Sequence, residues 1–139
     1  MTANVTIQLP DRSYLAIVSG KLTLNGDGKD PHSQWSMTLS ESTTETDSYS
    51  TIQNVGSGQW FSMPGPLIDN KAPPVLTSDS SDALTFLIGG VMINDQQPIQ
   101  IVNSAILIGT ATYLTAIDGT VWYAGDKLRI TGWMIKPLQ

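Results

Sequence analysis

Apolar and polar residues alternate along much of this chain, and such alternation places successive side chains on opposite faces of a β-strand. Val5 and Ile7 are separated by one polar residue, and so are Trp35 and Met37. No stretch shows a helical period. We therefore predict an all-β protein with almost no helix, folded as an antiparallel β-sandwich with a jelly-roll-like strand order. Further alternating positions are Leu9, Leu22, Leu24, Leu39, Leu128, Ile130, Gly132 and Met134.

The chain has 139 residues, the size of one compact unit, so we expect a single sandwich domain over residues 1–139. Hydrophobic residues make up 40% of the chain and charged residues 14%, which favours a folded protein without a membrane-spanning segment. The net charge of −5 and the lack of a basic run argue against nucleic acid as a partner. The lack of cysteine excludes disulfides, thiol nucleophiles and Cys-ligated zinc.

Turn residues divide the chain into short segments. Asp118-Gly119 predicts a hairpin, and Ser19-Gly20 predicts either a hairpin or a bulge. A third strand, Lys127–Ile135, is expected to complete a meander in the last third of the chain. The polar, acidic segment Glu41–Ser50 is expected to be a solvated loop or an exposed edge. Nothing in Met1–Pro10 resembles a secretory signal, so we expect synthesis in the cytoplasm.

The segment Met63–Thr77, MPGPLIDNKAPPVLT, contains four prolines and predicts an extended arm. Two alternatives follow for its apolar residues. The arm either crosses over its own sandwich or reaches a neighbouring subunit. The residues predicted to form an interface are Trp60, Phe61, Leu67, Ile68, Val75 and Leu76.

Possible catalytic and metal-binding residues are few. His32 is the only histidine and lies among turn residues without a nucleophile motif, so we expect a surface loop histidine. Asn25–Asp30 resembles part of a calcium loop, but Ser36 stands where an EF-hand needs a carboxylate. Paired carboxylates such as Asp79 and Asp82 lie in polar segments that offer no means of raising a pKa for acid catalysis. We therefore expect no enzyme, no metal and no cofactor.

Two pairs of adjacent aromatic residues, Trp60-Phe61 and Trp122-Tyr123, each place one ring on either face of a strand. An outward ring can stack on a sugar, or it can be covered by a loop, a second sheet or a sister subunit. The alternative function is therefore a carbohydrate- or receptor-binding β-sandwich module of a tail fibre or an adhesin.

The length of the chain, the loop ESTTETDSYS, the arm MPGPLIDNKAPPVLT and the closing segment ATYLTAIDGTVWYAGDKLRITGWMIKPLQ resemble the auxiliary capsid proteins of tailed bacteriophages. These proteins are also called decoration or cement proteins. The resemblance implies a dimer or trimer on the capsid surface of a virion. It further implies that the protein contacts the major capsid protein and holds adjacent shell subunits together. No contact residue is carried over from that family.

Overall fold

The structure is a computed structural model that describes residues 2–38, 48–63, 66–88, 96–102, 111–125, 128 and 130–138. Within these residues the chain forms fourteen β-strands and two short 3₁₀ helices, Pro31–Ser33 and Ser80–Asp82. The strands are β1 Thr2–Gln8, β2 Tyr14–Val18, β3 Lys21–Gly26, β4 Trp35–Thr38, β5 Ser48–Ser50, β6 Gln53–Asn54, β7 Trp60–Ser62, β8 Lys71–Ala72, β9 Val75–Thr77, β10 Thr85–Ile88, β11 Ile99–Val102, β12 Thr112–Ile117, β13 Thr120–Gly125 and β14 Met134–Pro137.

The strands form two antiparallel sheets that pack together. Sheet A follows the order β3-β2-β1-β4-β6-β7-β9, with β14 also paired to β1. Sheet B follows the order β5-β10-β11-β12-β13-β8. The prediction of an all-β antiparallel sandwich with almost no helix is confirmed. Most neighbours in each sheet are close in sequence, and this strand order is the detail that the sequence pattern left open.

The core lies between the two sheets and is built from the alternating residues. Val5 and Ile7 of β1, like Trp35 and Met37 of β4, are at most 2% exposed. Sheet B contributes Phe86 and other apolar residues from the same face of its strands. The alternation therefore predicted correctly which side chains face inward. Leu39 and residues 41–47 of the acidic segment lie outside the described residues, and Ser48–Ser50 of that segment forms an outer strand of sheet B.

Both predicted tight turns occur as hairpins. Asp118 and Gly119 connect β12 to β13 with φ angles of 51° and 79°, and Ser19 and Gly20 connect β2 to β3 with φ angles of 52° and 77°. Two successive residues with positive φ match the right-handed twist of paired strands, which explains why glycine occupies the second position.

The predicted third strand of the closing meander is wrong. β14 does not extend sheet B but pairs with β1 of sheet A, with Ile7 opposite Ile135. The crossing is anchored by Trp133, which is fully buried and exchanges two main-chain hydrogen bonds of 2.8 Å with Gln97. Because this burial directs the chain to the other sheet, Leu128 and Ile130 are exposed instead of paired.

The described part of the proline-rich arm, residues 66–77, is hereafter the crossover segment. It leaves β7 of sheet A and turns tightly at Asp69 and Asn70, both with positive φ. It then pairs through β8 with β13 of sheet B and returns through β9 to β7 of sheet A. Its backbone therefore lies across one end of its own sandwich.

Candidate functional site

The four tryptophans divide into two buried and two accessible residues. Trp35 and Trp133 are fully buried, and each indole Nε1–H donates a 2.8 Å hydrogen bond to a main-chain carbonyl, of Leu15 and Leu114 respectively. Trp60 and Trp122 are half-buried, and their Nε1–H groups have no partner within the described residues. Buried indole N–H groups need partners, whereas accessible ones remain available to a ligand.

The prediction that each aromatic pair straddles its strand is confirmed. Phe61 and Tyr123 are fully buried, while their neighbours Trp60 and Trp122 lie on the outer faces of sheets A and B. In the core, Phe61 stacks on Trp35 with ring centroids 5.2 Å apart. Each outer face of the sandwich therefore carries one accessible indole.

The outer face of sheet B carries a continuous row of side chains, one from each strand. Directly opposed residues share a face, so the printed register places all six on the side away from the core. Tyr49 is 63% exposed, and four others are half-buried; only Ala124 is fully covered. The row consists of Tyr49, Leu87, Gln100, Tyr113, Ala124 and Lys71.

Trp122 extends this row because it lies two residues before Ala124 on the same face of β13. The Lys71 Nζ lies 4.5 Å from the centre of the Trp122 ring, a cation–π geometry. Row and indole together define the aromatic face. It combines three aromatic rings and a leucine with only one charged side chain, a composition that favours contact with another surface.

The predicted interface residues are distributed over the core and the surface. Phe61 lies in the core, so its side chain is not available at the surface of this chain. Leu67 and Leu76 are half-buried, and Leu76 packs against the core. Ile68 is 73% exposed and Val75 is 38% exposed. The crossover segment therefore offers Ile68 as its most accessible apolar side chain, and an intermolecular role for it stays a prediction.

His32 lies at the surface, as the sequence predicted. Its ring Nδ1 is 3.0 Å from Asp30 Oδ1, and the two side chains are 49% and 58% exposed. The same carboxylate oxygen accepts a 2.8 Å hydrogen bond from the main-chain N–H of His32. These bonds lower the pKa of Asp30 and cap the 3₁₀ helix Pro31–Ser33. The pair therefore stabilises a turn, and neither group has the burial that tunes a general acid or base.

The loop that resembles a calcium site uses its oxygens internally. Asp27 Oδ1 accepts 2.8 Å hydrogen bonds from the main-chain N–H groups of Lys29 and Asp30, and these bonds lower the pKa of the Asp27 carboxyl. A cleft of about 500 Å³ lies beside the loop. Among the residues that the structure describes, no group of three or more acidic or histidine side chains is placed to hold a metal ion.

Most residues of the aromatic face were missed by sequence reasoning. Tyr49, Leu87 and Tyr113 lie far apart along the chain, and only the strand register brings them into one row. Trp122 was found because it is adjacent to Tyr123. No local pattern marks the others, since a half-buried outer residue and a core residue follow the same alternation.

The helices within the described ranges are all too short to cross a membrane. A comparison of the sequence with known protein families and with curated proteins finds no match.

Proposed function

We propose that this chain is a structural virion protein. It binds the outside of a capsid shell as a dimer or trimer, contacts the major capsid protein and holds adjacent shell subunits together. The observation that carries the proposal is the aromatic face, a row of accessible apolar side chains across all six strands of sheet B. The resemblance to decoration proteins supplies the capsid as the partner, and the aromatic face supplies the contact.

The size of the aromatic face supports a protein–protein contact. Six strands are separated by five spacings, so the row extends over about 24 Å. A stable interface covers about 800 Å² on each partner, which corresponds to a patch roughly 28 Å on a side. The face therefore has nearly the width of an ordinary interface.

The composition of the face supports the same conclusion. Tyrosine and tryptophan are enriched in interface cores, because they bury a large area and lose little side-chain entropy. Tyr49, Tyr113 and Trp122 stand on sheet strands rather than on loops, so their positions are set before any partner binds. Ile68 on the crossover segment adds a second exposed apolar contact near one end of the sandwich.

The first experiment is sedimentation velocity of the purified full chain over a range of concentrations. We expect a dimer or trimer. Tyr49→Glu places a charge at the most exposed position of the aromatic face and is expected to raise the dissociation constant at least tenfold, as the loss of an interface hot spot does. Val55→Glu changes an exposed apolar residue away from this face and serves as the matched control.

The second experiment tests the particle. Native source material is sedimented, and the pelleted particles and the soluble fraction are compared by peptide mass spectrometry. We expect stoichiometric recovery with a megadalton particle after a salt wash. Recovery of the chain only as a small soluble species, together with a monomer in sedimentation velocity, would refute the proposal.

A further inference from the structure

We infer that the outer face of sheet A binds a neutral carbohydrate chain, through a row of side chains centred on Trp60. This site lies on the sheet opposite the aromatic face and is independent of the proposed capsid contact. The row, hereafter the polar row, takes one residue from each of five neighbouring strands. It consists of Asn4, Ser36, Gln53, Trp60 and Thr77.

The strand register establishes the polar row. Asn4 is opposite Ser36, Ser36 is opposite Gln53, and Gln53 is opposite Trp60, which is itself opposite Thr77. Directly opposed residues lie on one face, and here it is the face away from the core, because the neighbouring residues Val5, Trp35 and Phe61 point inward. Four strand spacings make the row about 19 Å long, which is enough for several sugar units.

The chemistry of the polar row matches a carbohydrate. Two amides and two hydroxyls each offer both a hydrogen-bond donor and an acceptor, as sugar hydroxyls do. None of the five side chains is charged, so a neutral ligand leaves no ion desolvated and unpaired. All five are accessible: Asn4 is exposed, and the other four are half-buried.

Trp60 supplies the apolar component that sugar recognition needs. Sugar rings present C–H groups that pack on a flat aromatic surface. Within the described residues Trp60 stacks on no other ring and no cation, and its Nε1–H has no partner. Trp122 differs, because the Lys71 ammonium already lies over its ring. This difference favours Trp60 over Trp122 as the sugar platform.

Gln53 is held in position beside Trp60. Its side-chain Nε2 donates a 3.1 Å hydrogen bond to the main-chain carbonyl of Gly58 in the β6–β7 turn. The side-chain carbonyl oxygen therefore has a defined direction, and it has no partner within the described residues. An acceptor fixed next to an aromatic platform lowers the ordering cost of binding.

The experiment is affinity electrophoresis of the full chain in gels containing soluble neutral polysaccharides, namely dextran, mannan, xyloglucan and mixed-linkage β-glucan. Alginate and heparin are the anionic controls. We expect at least one neutral polysaccharide to retard the wild-type protein. Trp60→Ala is expected to weaken binding about tenfold or more, Gln53→Ala less, and Trp60→Phe is expected to retain most of it.

Trp122→Ala is the matched control, because it removes the accessible indole of the opposite sheet. It should leave retardation unchanged while it weakens self-association, and Trp60→Ala should do the reverse. Circular dichroism and thermal melting establish that each variant is folded. The inference is overturned if no neutral polysaccharide retards the wild type, if only the anionic polysaccharides do, or if folded Trp60→Ala binds like the wild type. None of these results bears on self-association through the aromatic face.

Discussion

The phenolic hydroxyl of Tyr123 donates a 2.9 Å hydrogen bond to the main-chain carbonyl of Ser62, which lies 61 residues earlier in the chain. Tyr123 belongs to β13 of sheet B, and Ser62 belongs to β7 of sheet A, so this bond joins the two sheets directly. The same hydroxyl lies 3.5 Å from the carbonyl oxygen of Val75 in β9. Tyr123 thus fixes both ends of the crossover segment to the core.

Tyr123→Phe is expected to lower the free energy of unfolding by about 1–2 kcal/mol. The variant keeps the ring in the core but leaves the Ser62 carbonyl without its donor, and a buried unpaired group costs about that much. Urea denaturation at neutral pH measures the change. Tyr113→Phe is the matched control, since Tyr113 lies on the outer face of sheet B, and it should stay within about 0.5 kcal/mol of the wild type.

Stability should fall at alkaline pH because of the same residue. Burial raises the pKa of Tyr123 above its ordinary value near 10. The folded state then keeps a proton that the unfolded state releases, so this contribution is fully present below pH 10 and is lost as the pH rises towards the folded pKa. The expected slope is about −1.4 kcal/mol per pH unit above pH 10. Denaturation curves between pH 9 and 11, compared with those of Tyr123→Phe, measure it. Equal slopes for both proteins would contradict the assignment.

Trp35→Phe is expected to cost about 2–4 kcal/mol of stability, because it removes the donor to the buried Leu15 carbonyl and leaves a cavity beside Phe61. Trp60→Phe makes the same chemical change at a half-buried position and should cost less than about 1 kcal/mol. Urea denaturation compares the two variants. Similar losses would show that Trp60 also belongs to the core.

Ile68→Ala separates assembly from folding in the crossover segment. Ile68 is 73% exposed, so the melting temperature should change by no more than about 2 °C. Leu76→Ala removes a side chain that packs on the core and should lower the melting temperature clearly. If the segment also contacts a neighbouring subunit, Ile68→Ala should weaken self-association in sedimentation velocity. Unchanged self-association would restrict the segment to its own sandwich.

Local pattern predicted much of the fold. Val5 and Ile7 face the core as their alternation requires, and Asp118-Gly119 forms the expected hairpin. The split of Trp60-Phe61 across its strand also followed from period-2 geometry. The sequence pattern did not indicate which member of the pair is buried, since both residues are large and apolar.

The sequence by itself determined the all-β class, the hairpin turns and the alternation of side chains, because each of these depends on residues a few positions apart. Only the tertiary structure decided that β14 joins sheet A and that the proline-rich segment crosses its own sandwich. It also decided that Tyr49, Leu87 and Tyr113 share one face. The physical reason is that backbone hydrogen bonds are the same for any two strands, so pairing is selected by the burial of distant side chains such as Trp133.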